Sequence, residues 1–226
     1  MPTLVFLIDI DNTLLDNDRV KAEMSAEILR LAGKEGSEDF WNLYEAVRKE
    51  LDYVDLPLTL ARFTALRPDL RTFPQLSAML LGYRFEDDLY PHAMEVVHRL
   101  KAFGTVVILS DGDPVFQPAK IGRMGVADAV DSNVLIYAHK EQHLEEVQRL
   151  YPADHYVLID DKPGILARVK QVLGDRLTTV HVRQGKYANV EDDAAEPSPD
   201  LSVDGIADVL RLTDSDFLGR TAPAAP

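Results

Sequence analysis

Two aspartates stand two residues apart at the end of an apolar run, in VFLIDIDNTL (Val5 to Leu14). Like charges so close repel, so the pair must serve chemistry or meet a cation. A second acidic pair, Asp160–Asp161, follows another apolar run, and Ser110 closes a third. In open parallel sheets, ligands bind outside the carboxyl ends of the strands. Strand ends from distant parts of the chain would therefore bring Asp9, Asp11, Asp160 and Asp161 into one crevice. Crowded carboxylates raise one another's pKa unless a cation relieves them. A hard divalent ion does so, and Mg²⁺ combines one or two carboxylates with waters and substrate phosphate oxygens. The four aspartates thus predict a Mg²⁺ site.

The elements that must carry them are short, branched, uninterrupted apolar runs: Leu4–Ile8, Thr105–Leu109, Tyr156–Ile159 and Thr179–Val182, with Val134–Ile136 as a fifth. Such runs read as strands buried on both faces, as in a parallel sheet. Helical periodicity fills the intervals at His92–Phe103, Lys140–Tyr151 and Gly164–Leu173. The predicted fold is α/β, a Rossmann-like parallel sheet with helices on both faces. More than 90 residues separate the first two strands, too many for one crossover. The segment 15–89 shows helical patterns at Val20–Leu31, Glu38–Leu51, Leu58–Leu66 and Phe73–Tyr83, punctuated by Pro57, Pro68 and Pro74. It reads as an inserted α-helical cap, leaving 1–14 and 90–213 as the core. A strand-like run and helix follow at Leu201–Leu212, and 214–226, rich in Ala and Pro, reads as a disordered tail.

DIDNTL resembles the first signature of the haloacid dehalogenase superfamily. LSDG, Lys140 ahead of a helix, and IDD continue the likeness in order, over nearly the whole chain. The resemblance implies Asp9 as nucleophile forming an aspartyl-phosphate, and Asp11 as general acid and then base. It implies that the Asp11 backbone carbonyl joins Asp9, Asp160 and Asp161 around Mg²⁺, and that Thr13 holds the loop through its hydroxyl. Ser110 and Lys140 would contact the transferring phosphoryl group, with Asp111 beside them; Lys120 is the rival cation. The motif lysine lacks a following proline, SDGD is unusually acidic, and Lys162 comes directly after the acidic pair.

The implied activity is a Mg²⁺-dependent phosphatase for a small phosphorylated metabolite, similar to phosphoglycolate-phosphatase-like members. A sugar phosphomutase and a non-catalytic phosphate-binding regulatory protein are the alternatives; a carbon–halogen hydrolase would need no acid at position 11. Other classes find less support. The 226 residues carry 24 Lys and Arg against 38 Asp and Glu, a net charge of −14 that argues against nucleic-acid and anionic-membrane partners. Cysteine is absent, which removes disulfides and thiolate metal sites. Neither a signal peptide nor a long apolar span is visible, which predicts a cytoplasmic protein. No Walker loop or GxGxxG occurs. His139 and His143 are a weak metal pair, Trp41, Tyr44 and Phe63 are expected to pack a small core in the insert, and its arginines are expected to be mostly solvated.

Overall fold

The computed structural model describes residues 3–189 and 196–219. Six parallel strands form one sheet: β1 (Leu4–Ile8), β2 (Thr105–Asp111), β3 (Val134–Tyr137), β4 (His155–Asp160), β5 (Leu177–Val182) and β6 (Leu201–Val203), in the spatial order β3-β2-β1-β4-β5-β6. Side chains alternate between the two faces of a strand, and two cores result. Phe6 and Ile8, with Ile108 and Ile159, face one core; Val5 and Leu7, with Leu109 and Leu158, face the other. The first core is covered by α4 (Ala93–Leu100), α5 (Phe116–Arg123) and α6 (Val126–Ala129). The second is covered by α7 (Leu144–Leu150) and α8 (Pro163–Leu173). Both faces are dry, which is why the strands read as unbroken apolar runs.

Helices dominate the stretch between β1 and β2: α1 (Asn17–Leu51), α2 (Leu56–Leu66) and α3 (Phe73–Gly82). The two helices predicted at Val20–Leu31 and Glu38–Leu51 are present as the two arms of α1, which meet at a kink at Gly33, whose φ of 70° only glycine adopts cheaply. Asp55 caps α2 by accepting from Leu58 N at 2.7 Å. Phe40 and Phe63 pack edge to face, 5.5 Å apart, inside this segment. Trp41 joins that packing, edge-on to Phe40 at 5.5 Å, and Tyr44 packs edge-on to Trp41 at 5.1 Å; both rings also line the cavity over the strand ends, where Lys21 lies over them. The chain enters and leaves the segment side by side. Leu15 bridges Leu89, and Tyr90 N donates to Leu14 O at 2.8 Å.

Two expectations are corrected. The helix predicted over Lys140–Tyr151 is split into a single 3₁₀ turn at Lys140–Gln142 and then α7. The turn is drawn to the sheet because Lys140 N donates to Asp111 Oδ1 at 2.9 Å. The tail predicted from 214 onward begins as structure: Thr213 caps α9 (Asp214–Phe217) in a reciprocal capping box. Phe217 is fully buried and packs edge-on against Phe6, 5.0 Å away. A four-residue helix is too short for periodicity to reveal. Residues 190–195 and 220–226 lie outside the described residues.

Candidate active site

The carboxyl ends of β1, β2 and β4 meet at the centre of the sheet. Ile8 is paired with Ile108 on one side and Ile159 on the other, so the next residues, Asp9 and Asp160, are brought together. Asp9 N donates to Ile159 O at 3.0 Å and fixes the first residue beyond β1. The following turn is closed by Thr13, Leu14 and Leu15 N, all donating to Ile10 O, and by Asn12 at φ 62°. Asn12 also binds Asp18 through both its side-chain atoms. Thr13 is fully buried, but its hydroxyl has no hydrogen-bond partner. The loop is therefore held by backbone bonds and by Gln184, which donates to Thr13 O at 3.1 Å, and not by the Thr13 hydroxyl.

Ligand oxygens of Asp9, Asp160 and Asp161 all lie within 4.8 Å of one another, and all three residues are buried. Lys140, fully buried, reaches into this cluster. Its Nζ lies 2.5 Å from Asp9 Oδ1, 2.6 Å from Asp160 Oδ2 and 3.3 Å from Leu109 O. Burial works against its charge, but Asp160, Asp9 and Asp111 together hold the ammonium above the ordinary lysine range. Burial likewise opposes charge on Asp9, yet Lys140 and Lys162 keep its carboxyl below the usual carboxylate range. For Asp161 the same two lysines are outweighed. Burial, then the charges of Asp160 and Asp9, push it up to about 9.

Four oxygens of the cluster are left without hydrogen bonds; Asp160 Oδ2 has the Lys140 ammonium at 2.6 Å, which leaves Asp9 Oδ2 and both oxygens of Asp161 unpaired. An unpaired buried carboxylate oxygen is costly, and a hard cation accepts such oxygens. The donor set fits Mg²⁺. The local charge agrees, since with every carboxylate ionised, as metal ligation requires, Asp9, Asp11, Asp111, Asp160 and Asp161 exceed Lys120, Lys140 and Lys162 by two.

The Asp11 carboxyl is not in that cluster. It turns toward α5, where Lys120 Nζ contacts Oδ1 and Gln117 Nε2 donates to Oδ2 at 3.2 Å. Gln117 also donates to Ser110 Oγ at 2.9 Å. Ser110 is part of β2. Asp111 accepts from Lys140 N and lies 3.8 Å from Lys162 Nζ, so it holds the backbone at one cation and faces the other. Asp113 accepts from Val115 N and Phe116 N and fixes the entry to α5.

Lys120 is thus not a substitute for Lys140; each ammonium serves a different aspartate. Gln117 and Gln184 were not singled out from the sequence, because an amide several residues from a motif carries no spacing signal. The histidine pair dissolves: His143 stacks on Tyr137 at 4.2 Å, whereas His139 faces Asp52 at 3.6 Å. Among the arginines of the insert, Arg48, Arg62, Arg67 and Arg84 make surface ion pairs, and Arg48 also lines the cavity.

A cavity of about 1080 Å³ opens over the cluster. Asp11, Asp111, Asp161 and Lys162 form its floor, and Lys21, Trp41, Tyr44 and Arg48 contribute from the helical segment. Fold and site together are those of a hydrolase with an acidic centre at the carboxyl edge of a parallel sheet.

The profile of the haloacid dehalogenase-like hydrolases matches residues 3–182, and the chain belongs to that family. A solved haloacid dehalogenase-like hydrolase from Burkholderia xenovorans LB400 is 44% identical, with a TM-score of 0.88 over 96% of this chain and 98% of its own. The fold is also that of the L-2-haloacid dehalogenase of Xanthobacter autotrophicus with chloropropionic acid covalently bound. That enzyme is 16% identical, with a TM-score of 0.60 over 92% of this chain and 97% of its own. The HAD-hydrolase YfnB of Bacillus subtilis, bound to magnesium, is 13% identical, with a TM-score of 0.62 over 93% and 98%. No protein of curated function matches the chain. Among the described residues, no helix is long and apolar enough to cross a membrane.

Proposed function

We propose that the protein is a Mg²⁺-dependent phosphatase that hydrolyses a small phosphorylated metabolite through an aspartyl-phosphate on Asp9. The observation that carries this reading is the set of three unpaired buried oxygens on Asp9 and Asp161. A phosphate monoester brings negative charge toward a carboxylate nucleophile, and a divalent cation is the remedy. A 2-haloacid reacting at carbon releases a weakly basic halide, which needs neither a cation nor a proton donor. The carboxyl of Asp11, off the acid cluster and open to the cavity, supplies the donor that an alkoxide leaving group requires.

Asp9, Asp160 and Asp161 would hold Mg²⁺, with the Asp11 carbonyl as a further ligand. When bound, the ion would neutralise phosphoryl charge and favour ionised Asp9. An Asp9 carboxylate oxygen bonds to phosphorus as the ester P–O bond breaks, and Asp11 gives its proton to the departing oxygen. Water then attacks phosphorus, Asp11 takes the proton of that water, and the acyl-phosphate bond opens to regenerate Asp9. Lys140 orients Asp9 and offsets charge shared with the phosphoryl group; Ser110 is placed to donate to a phosphoryl oxygen. Segment 15–89 acts as the cap that encloses the substrate and selects the leaving group. Phosphate release from a panel of phosphorylated metabolites with Mg²⁺, against an Asp9→Asn control, tests the proposal. Halide release from 2-chloropropionate without phosphate release from any ester would overturn it.

Metal binding makes a separate prediction. Folded, metal-free protein retains a proton on Asp161 up to about pH 9, whereas the unfolded chain gives it up near the ordinary aspartate value of 3.8. Between these values the unfolded state binds fewer protons, so this contribution is fully present below about pH 4 and is lost as pH rises toward 9. The metal-free melting temperature should fall over that window. Mg²⁺ replaces the proton and flattens the dependence. At ~100 times its dissociation constant it adds roughly 2.7 kcal/mol. Calorimetry at several pH values checks this, and Asp161→Asn should lose most of both effects.

A further inference from the structure

We infer that Gln117 and Lys120 are positioning residues that hold the Asp11 carboxyl away from the metal cluster and facing the cavity. This rests on the phosphatase reading for its chemistry, but the arrangement itself is geometric. The two side chains are three residues apart on α5 and therefore share a face. They engage separate oxygens: Lys120 Nζ contacts Oδ1, and Gln117 Nε2 donates to Oδ2 at 3.2 Å. Neither holder is free to wander. Lys120 is 4% exposed, and its ammonium lies 6.0 Å from the Phe85 ring centroid. Gln117 is equally buried and is tied to Ser110 Oγ at 2.9 Å. Asp113 fixes the entry to α5 that carries both.

The reason for such a clamp lies two residues away. A carboxylate chelated to a divalent cation is turned toward the ion and away from the departing oxygen of a substrate. Asp11 follows Asp9 closely enough that its carboxyl would be drawn toward a cation held by Asp9 and Asp161. An ammonium and an amide on the opposite side compete with that attraction. They also leave the carboxyl facing ligand: the Asp11 side chain is 26% exposed, and Asp11, Gln117 and Lys120 all line the cavity. Among the described residues, Asp11 is the carboxylate paired with Lys120.

A double-mutant cycle tests the clamp. Lys120→Met should lower kcat on alkyl phosphates by a large part of the ~10²–10⁴-fold typical of general acid–base catalysis, with KM little changed. In an Asp11→Asn background it should cost nothing more. Mg²⁺ affinity, read by titration calorimetry without substrate, should tighten in Lys120→Met because Asp11 joins the cluster. That tightening should vanish in the double variant. Gln117→Leu, which changes no charge and keeps Lys120, should show the same pattern more weakly and serves if Lys120→Met does not fold. Multiplicative losses in the double variants, or tighter Mg²⁺ binding that persists without the Asp11 carboxylate, would overturn the clamp. If no phosphate ester is a substrate, the calorimetric cycle still decides the geometry independently of the phosphatase reading.

Discussion

Asp11→Asn will slow turnover of alkyl phosphates by ~10²–10⁴-fold, the usual worth of general acid–base assistance. The amide can keep one hydrogen bond on the α5 side but cannot transfer a proton. An activated aryl phosphate needs little protonation to leave, so formation of the aspartyl-phosphate should be slowed far less for such a substrate. Its hydrolysis still lacks a base, and the phosphorylated enzyme should accumulate. Rapid-quench kinetics with an alkyl and an aryl ester compare the two directly. Equal slowing of both, without a phosphoenzyme, would mean that Asp9 and Asp11 do not divide attack and proton transfer between them.

Lys140→Met will destabilise the protein by about 3–5 kcal/mol, the cost of leaving a buried charge without its partner. Lys140 is fully buried with its ammonium 2.5 Å from Asp9 and 2.6 Å from Asp160, so its removal strands two carboxylates at once. In a chain of this size each kcal/mol is worth roughly 2–4 °C of melting temperature. The loss should be partly recovered by Mg²⁺, because the stranded oxygens of Asp9 then gain a cation. Phosphatase activity should nonetheless remain far below that of the native enzyme, since the ion does not reproduce the ammonium that orients the nucleophile. Denaturant titration with and without Mg²⁺ measures the first effect. A loss below about 1 kcal/mol would place Lys140 among ordinary exposed ion pairs.

The sheet was legible because its strands are buried on both faces and leave runs that nothing polar interrupts. Val5 and Phe6 belong to different cores, yet both had to be apolar. Asp9, Asp160 and Asp161 could be placed together because strand ends in a parallel sheet share one edge. The supporting residues were not legible in the same way. Gln117 and Gln184 matter through contacts with Asp11, Ser110 and the Asn12–Thr13 backbone, and nothing local marks them. Trp41 and Tyr44 had helical spacing that suits a core, and Trp41 does pack on Phe40, but spacing cannot say that both rings also meet the cavity. Thr13 shows the opposite error, for a residue at the right motif position holds nothing through its hydroxyl. Phe217 was hidden in a polar neighbourhood, where one buried ring and a capping box make an anchor without periodicity.

The central claim is that Asp9 becomes phosphorylated. Asp11→Asn enzyme, mixed with Mg²⁺ and an activated aryl phosphate and quenched in acid during turnover, should carry one phosphoryl group on the peptide containing Asp9. Asp9→Asn should carry none. Phosphate release by the native enzyme with no phosphorylated peptide in the Asp11→Asn protein, or a phosphoryl group on another residue, would contradict the account.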